Sequence, residues 1–214
     1  MPYSAVIFDL DGTLVDTLAD LRNAVNCALR EAGLPERSLS EIRSFVGNGV
    51  GLLMKRAIGQ RQNELFDRLF PVFCSSYEAH LTDCSRPYEG IEELLSALKA
   101  KGVKIAVISN KKDAAAKTVC SALLPGLLDL VCGERDGIPR KPDPAALDEI
   151  FTYFGEDKTR CLLVGDSEVD LQTARNAGID SVSVKWGFRS EESLRDAGAT
   201  RLIGSPEELL TYFA

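Results

Sequence analysis

The apolar positions of this chain fall into two recurring patterns. Short unbroken runs read as buried strands, and longer stretches with apolar residues three and four apart read as amphipathic helices. The runs lie at residues 3–8, 103–108, 127–131, 161–164, 181–184 and 201–203. Helical stretches stand between the later runs at 91–101, 113–123, 142–154 and 169–177, with a last one at 206–212. Gly102 and Gly178 stand just past two of them, where a left-handed residue ends a helix at little cost. Pro142-Asp143-Pro144 opens another. Alternating strand and helix predict an α/β fold, a Rossmann-like parallel sheet with right-handed crossovers.

One segment breaks the alternation. No strand pattern occurs between Val15 and Thr82, and helices are expected at residues 16–32, 38–45, 50–58 and 62–81. Leu18, Leu21, Val25, Ala28 and Leu29 form the apolar side of the first, which Gly33 closes and Pro35 keeps from continuing. Ser40 and Glu41 supply a start for the second, and Pro71 is expected to kink or restart the last. The predicted organisation is a core domain of residues 1–15 and 84–214, with an all-helical subdomain of residues 16–83 inserted after the first strand.

Composition narrows the class. The 214 residues are 45% hydrophobic, enough for one full core plus an insert. A net charge of −7 argues against nucleic-acid or anionic-membrane partners. An anionic substrate must then be held locally, by a metal, a lysine or a helix N-terminus. The apolar runs are far too short to span a membrane. No basic-then-apolar leader precedes Asp9, so a cytoplasmic chain is expected. Cys27, Cys74, Cys84, Cys120, Cys132 and Cys161 are scattered with no C-x-x-C pair, which suits reduced thiols. His80, the only histidine, sits at an expected helix end and reads as a surface residue.

The candidate chemistry lies at strand ends, where open α/β sheets bind ligands. The first run ends in Asp9-Leu10-Asp11-Gly12-Thr13. Paired carboxylates there need a partner, and a divalent, oxygen-liking cation such as Mg²⁺ fits. Asp9 can act as a nucleophile on phosphorus and as a metal ligand. Asp11 can serve as general acid and then general base. Gly12 allows a tight backbone path, and Thr13 offers a hydroxyl and an N–H to a phosphate. Ser109 and Asn110 end the second long run, either as a phosphoryl-oxygen site or as a plain strand-end turn. Lys141, before Pro142, either neutralises Asp9 and a transferring phosphoryl group or is solvated. Asp166 follows the third run and is the natural second metal carboxylate. Asp170, one helical turn on, either supports Asp166 or is a favourable helix-start charge.

Taken in order, D-x-D-G-T, a strand-end Ser, Lys-Pro and G-D-x-x-x-D resemble the haloacid dehalogenase superfamily of phosphohydrolases over nearly the whole chain. The resemblance implies Asp9 as nucleophile, Asp11 as acid/base, Ser109 as phosphate-binding hydroxyl and Lys141 as charge-balancing lysine. It implies Asp166 as metal ligand, Asp170 as supporting acid, and the Asp11 carbonyl as a further Mg²⁺ ligand. The helical insert looks like the family's cap. Phe45-Val46-Gly47-Asn48-Gly49-Val50, Arg86-Pro87-Tyr88-Glu89-Gly90 and the stretch from Gly165 to Gly178 look like the phosphoglycolate phosphatase branch. Gly47, Asn48 and Gly49 are either an inter-helix turn or a loop whose N–H groups meet a small carboxylate.

The expected activity is Mg²⁺-dependent hydrolysis of a small phosphorylated metabolite, 2-phosphoglycolate first, through an aspartyl-phosphate on Asp9. The expected assembly is a monomer or homodimer. Pyrophosphate, nucleotides and sugar phosphates are rival substrates. A phosphosugar mutase is disfavoured because the cap loop reads Gly-Asn-Gly-Val and carries no Arg. A dehalogenase has little need of Asp11. A non-catalytic phospho-acceptor or metal-binding module is disfavoured by the helical insert and by the full set of acids.

Overall fold

The computed structural model describes residues 3–213. Met1, Pro2 and Ala214, the outermost residues of the expected core domain, lie outside them. In chain order the elements are β1 (Ala5–Phe8), β2 (Val15–Asp16), α1 (Leu18–Glu31), α2 (Leu39–Phe45), α3 (Val50–Ile58), α4 (Gln62–Ala79), β3 (Arg86–Pro87), α5 (Ile91–Ala100), β4 (Lys104–Lys112), α6 (Asp113–Leu123), β5 (Leu130–Glu134), α7 (Ala145–Phe154), β6 (Cys161–Gly165), α8 (Glu168–Ala177), β7 (Asp180–Val184), α9 (Glu191–Asp196) and β8 (Leu202–Ile203). Short 3₁₀ helices cover Gly59–Arg61, Lys158–Arg160 and Pro206–Phe213. The chain divides into two units, Met1–Asp16 with Pro87–Ala214, and Thr17–Arg86.

The first unit is α/β, built on a six-stranded sheet of order β5-β4-β1-β6-β7-β8. Its strand pairs run parallel. Parallel strands are covered on both faces, so their sequences read as near-continuous apolar runs. Ala5, Val6, Ile7 and Phe8 of β1 are all buried. Ala5 and Ile7 share one cluster with Ala106, Ile108, Leu163 and the α7 residues Leu147, Ile150 and Phe154. Alternation then turns Val6 and Phe8 to the opposite face. From β1 the chain builds outward to β4 and β5, then returns to the other side of β1 for β6, β7 and β8. That reversal beside β1 is a topological switch point, and such sheets bind ligands outside the carboxyl strand ends there. In register, Phe8 faces Val107 on one side and Val164 on the other, so β1 and β6 end nearly level while β4 runs on past them to Lys112.

The second unit is helical apart from its last residue, Arg86, which belongs to β3. α1 packs on α4 and α2, and α3 on α4, around Leu21, Val25, Leu29, Ile42, Leu53, Met54, Leu69 and Phe73. Phe66, Phe70, Phe73 and Tyr77 stack along α4 with successive ring centroids 4.9, 6.2 and 5.6 Å apart. Near its two ends the unit is tied by one buried carboxylate. Asp20 Oδ2 accepts from Ser85 N at 2.8 Å and Ser85 Oγ at 2.6 Å, and Asp20 Oδ1 accepts from Cys84 N at 3.0 Å. Among the described residues no helix is long and apolar enough to cross a membrane.

Several element expectations need correction. A strand does form at Val15–Asp16, where β2 pairs with β3. The cap of α2 is Ser38, not Ser40, because Ser38 and Glu41 exchange the reciprocal bonds of a capping box. Pro71 does not restart α4, which runs unbroken from Gln62 to Ala79. α7 begins at Ala145 instead of residue 142, with Asp143 Oδ1 accepting from Ala145 N at 2.9 Å. β4 continues past Ile108 to Lys112, and the final helix is 3₁₀ in form. α9 has no counterpart in the expectation, being a short helix anchored by Leu194 against Leu171 and Ala199.

Asp20→Ala removes the acceptor for three donors, two of them on buried Ser85. Hydrogen bonds to a charged group are worth about 1.5–3 kcal/mol, and stranded donors add to the loss. A stability loss of about 2–4 kcal/mol is therefore expected from urea unfolding followed by circular dichroism.

Candidate active site

Two neighbouring strands, β1 and β6, and the helix α8 that follows β6 deliver the acids. β1 is followed by Asp9, whose N–H donates to the Val164 carbonyl at 2.9 Å and so extends the sheet by one residue. β6 ends at Gly165 and is followed by Asp166. Asp170 comes from the first turn of α8, where its carboxylate completes a capping box. Asp170 Oδ2 accepts from Ser167 N at 3.1 Å and Ser167 Oγ at 2.6 Å. One carboxylate oxygen from each of Asp9, Asp166 and Asp170 falls within 4.8 Å of the others.

Lys141 joins this group from the segment between β5 and α7. Its Nζ lies 2.9 Å from Asp9 Oδ1 and 2.7 Å from Asp170 Oδ1, with only 3% of the side chain exposed. Asn110 Nδ2 donates to the Lys141 carbonyl at 3.0 Å, so the side chain named as a phosphate contact is engaged in fixing the lysine's backbone. Asp9 Oδ1 also accepts from Leu10 N at 2.7 Å.

Asp166 is fixed by groups from two other loops. Its Oδ2 accepts from Phe188 N at 2.7 Å, and its Oδ1 from Thr13 Oγ1 at 3.3 Å. Thr13 is fully buried, so its hydroxyl is committed to Asp166. Trp186 Nε1 donates to the Thr13 carbonyl at 3.0 Å and steadies the same turn. Gly12 occupies φ +92°, and a Cβ there would lie 2.5 Å from Asp166 Oδ2. Asp11 points to a different partner, with Oδ1 2.9 Å from Lys111 Nζ. Ser109 is buried and its Oγ accepts from Lys111 N at 3.2 Å. Gly47, Asn48 and Gly49 belong to the helical unit, half-exposed between α2 and α3, with Gly47 and Gly49 at positive φ.

The electrostatics follow from burial. Desolvation pushes the Asp9 carboxyl well above its usual range; Lys141 opposes the shift, and Asp170 and Asp166 add to it. Asp166 is pushed up to about 7, by burial first and then by Asp170, against the pull of the Phe188 N–H. Burial alone would lower the Lys141 ammonium, but Asp170 and Asp9 outweigh it and hold it above its ordinary value. Lys141 can offset only one of the three negative charges around it. A cluster of hard oxygen donors with excess negative charge is what a divalent cation such as Mg²⁺ binds, so the donor set fits one.

A family model described as haloacid dehalogenase-like hydrolase matches residues 6–184. The chain belongs to that family. Among its haloacid dehalogenase-like relatives, a phosphoglycolate phosphatase of Thiobacillus denitrificans is 39% identical over 218 residues, covering 97% of this chain and 94% of the relative. One of Cereibacter sphaeroides is 41% identical over 196 residues and covers 86% of each. The crystal structure of a predicted phosphoglycolate phosphatase from Haemophilus somnus superposes with a TM-score of 0.90 at 28% identity, covering 98% of this chain and 97% of that one.

Three features of this haloacid dehalogenase-like site were not read from the sequence. Lys111 has no sequence signal because the polar stretch after Ile108 does not read as strand; in the structure β4 runs on through it and buries both Ser109 and Lys111. The Phe188 N–H has no signature, since any residue but proline supplies one. Gly187 marks a close approach, because a Cβ there would lie 2.2 Å from Asp166 Cβ and 2.5 Å from the Gly12 carbonyl.

Gly187→Ala should displace Asp166 and cost about 1–3 kcal/mol through overpacking. Gly51→Ala, in α3 with nothing within 4 Å, should instead stabilise by about 0.5–1 kcal/mol. Paired urea midpoints for the two variants check the contrast.

Proposed function

We propose that this chain hydrolyses 2-phosphoglycolate through an aspartyl-phosphate on Asp9, with Mg²⁺ as cofactor. Its place among the haloacid dehalogenase-like hydrolases makes it a phosphoric monoester hydrolase. The substrate is carried over from relatives named phosphoglycolate phosphatase at 32–41% identity. The observation that supports the mechanism is the meeting of Asp9, Asp166 and Asp170 within 4.8 Å, with Lys141 bonded to the first and last.

Asp9 and Asp166, with the Asp11 carbonyl, are the proposed ligands of the cation, which when bound screens the phosphoryl charge from the carboxylates. An Asp9 oxygen attacks phosphorus, and the bond from phosphorus to the substrate alkoxide breaks. The departing oxygen keeps the bonding pair and takes a proton from Asp11, releasing glycolate. The Asp11 carboxylate then takes a proton from water, whose oxygen attacks the same phosphorus. The phosphorus–Asp9 bond breaks, returning the carboxylate and inorganic phosphate. Lys141 holds Asp9 Oδ1, orienting the nucleophilic carboxylate, and offsets charge on the transferring group. Ser109 is the proposed hydroxyl contact to the phosphoryl oxygens, with the backbone N–H of Asn110 beside it; the Thr13 N–H, expected to join them, donates instead to the Leu10 carbonyl at 3.3 Å. Asp170 positions Lys141 and Ser167, an arrangement that suits a supporting acid. Gly47, Asn48 and Gly49 of the helical unit are the proposed recognition loop for the substrate carboxylate.

Release of inorganic phosphate from 2-phosphoglycolate, pyrophosphate, nucleoside monophosphates and sugar phosphates tests the reading. Turnover should be greatest on 2-phosphoglycolate, should stop with EDTA and should return with Mg²⁺. Asp9→Asn should abolish it while leaving the circular dichroism spectrum intact. Wild-type rates in that variant refute the nucleophile.

A further inference from the structure

A second buried lysine stands on the floor of the site. Lys111 lies near the end of β4, two residues past Ser109, and both are buried. Its side chain is 3% exposed, and its Nζ lies 2.9 Å from Asp11 Oδ1. Burying an ammonium is costly unless it is paired and hydrogen-bonded. The group it meets is the acid/base carboxylate, which is itself 16% exposed. Asp9 and Asp11 are only two residues apart, yet each bonds to its own lysine, Lys141 and Lys111.

We propose that Lys111 is the positioning residue for Asp11 in proton transfer, an inference that rests on the acid/base reading of Asp11 given above. An ammonium only donates, so it can hold only a carboxylate oxygen that bears no proton. Lys111 therefore holds Oδ1 as an unprotonated acceptor and so orients the carboxylate that gives the proton to the departing alkoxide and takes one from water. Fixing where that carboxylate points matters because a displacement of about 1 Å costs on the order of 100-fold in rate. The backbone reinforces the arrangement: the Lys111 N–H donates to Ser109 Oγ at 3.2 Å, tying the lysine's strand segment to the proposed phosphate-contacting hydroxyl.

The test compares two substrates that differ in their need for an acid. 2-Phosphoglycolate releases a poor alkoxide leaving group, whereas p-nitrophenyl phosphate releases a stabilised phenolate that needs little protonation. Asp11→Asn should lose about 100-fold or more in kcat on the first and far less on the second. Lys111→Met, close in length but uncharged, should show the same asymmetry in smaller measure, about 10-fold or more on 2-phosphoglycolate and within about threefold on p-nitrophenyl phosphate. KM should change little, and Lys111→Arg, which restores a donor, should recover part of the loss. The double variant should be no worse than Asp11→Asn alone. Equal losses of Lys111→Met on both substrates, or no loss on either, overturn the proposal. If Lys111→Met does not fold, Lys111→Arg decides alone: an asymmetric change supports the role and a uniform one overturns it. If Asp11→Asn itself shows no asymmetry, the acid/base reading falls, and the lysine's role falls with it.

Discussion

The ion triad of Asp9, Lys141 and Asp170 is the interaction on which the site depends. Lys141 Nζ is within 2.9 Å of both carboxylates and almost fully buried. Removing one partner from such a group leaves a buried charge uncompensated, at about 3–5 kcal/mol. The elements that deliver these residues are therefore constrained together. β1 must end at Asp9, the segment after β5 must return Lys141 to the sheet edge, and α8 must begin where Asp170 can cap it. The Asn110 side chain adds a strut from β4 to the Lys141 carbonyl. The sheet order supplies the setting, because β4, β1 and β6 lie side by side at the reversal of the chain.

The same triad leaves a deficit that explains the surrounding construction. Asp166 accepts hydrogen bonds from the Phe188 N–H and the Thr13 hydroxyl, and Arg189 and Lys141 act on it through the field. Burial first and then the Asp170 charge outweigh the Phe188 N–H, Arg189 and Lys141, so Asp166 is pushed up to about 7. Stability and function pull in opposite directions here: a positive residue beside Asp166 would satisfy it and also occupy the place of a cation. The glycines at 12, 165 and 187 allow the backbone to close around Asp166 and Asp170 without side chains filling that space.

What the sequence disclosed follows from how each feature is encoded. The buried strands were legible because parallel strands covered on both faces need unbroken apolar runs, as in Ala5–Phe8 and Cys161–Gly165. The acids at their ends were legible because a carboxylate just past such a run is costly without a purpose. The far end of β4 was not, since Ser109 to Lys112 are polar. They remain extended through pairing with β5, with a register shift between Ile108 and Lys112. That pairing is tertiary, and no local pattern announces it. The start of α7 differs for a similar reason: Pro142 and Pro144 suit a first helical turn, but the helix enters later, where the Ala145 N–H donates to Asp143 Oδ1. α9 escaped because its six residues bury only Leu194, too little to form a periodic pattern.

Charge scale resolves an apparent conflict between the molecule and the phosphate it is proposed to bind. The chain carries a net −7, which repels anions at long range. At physiological ionic strength the screening length is about 8 Å, so distant surface charges weigh little once a ligand is at the sheet edge. There, Lys141 and Lys111 act within direct contact distance and in surroundings poor in water, where each charge counts for more. Both are already bonded to carboxylates, and this sets the order of events. An arriving phosphoryl group does not meet free cations; it competes for cations that the acids hold in place. The acids hold the lysines in place, and the lysines keep two neighbouring aspartates, Asp9 and Asp11, bonded to different partners, which suits the different roles proposed for them.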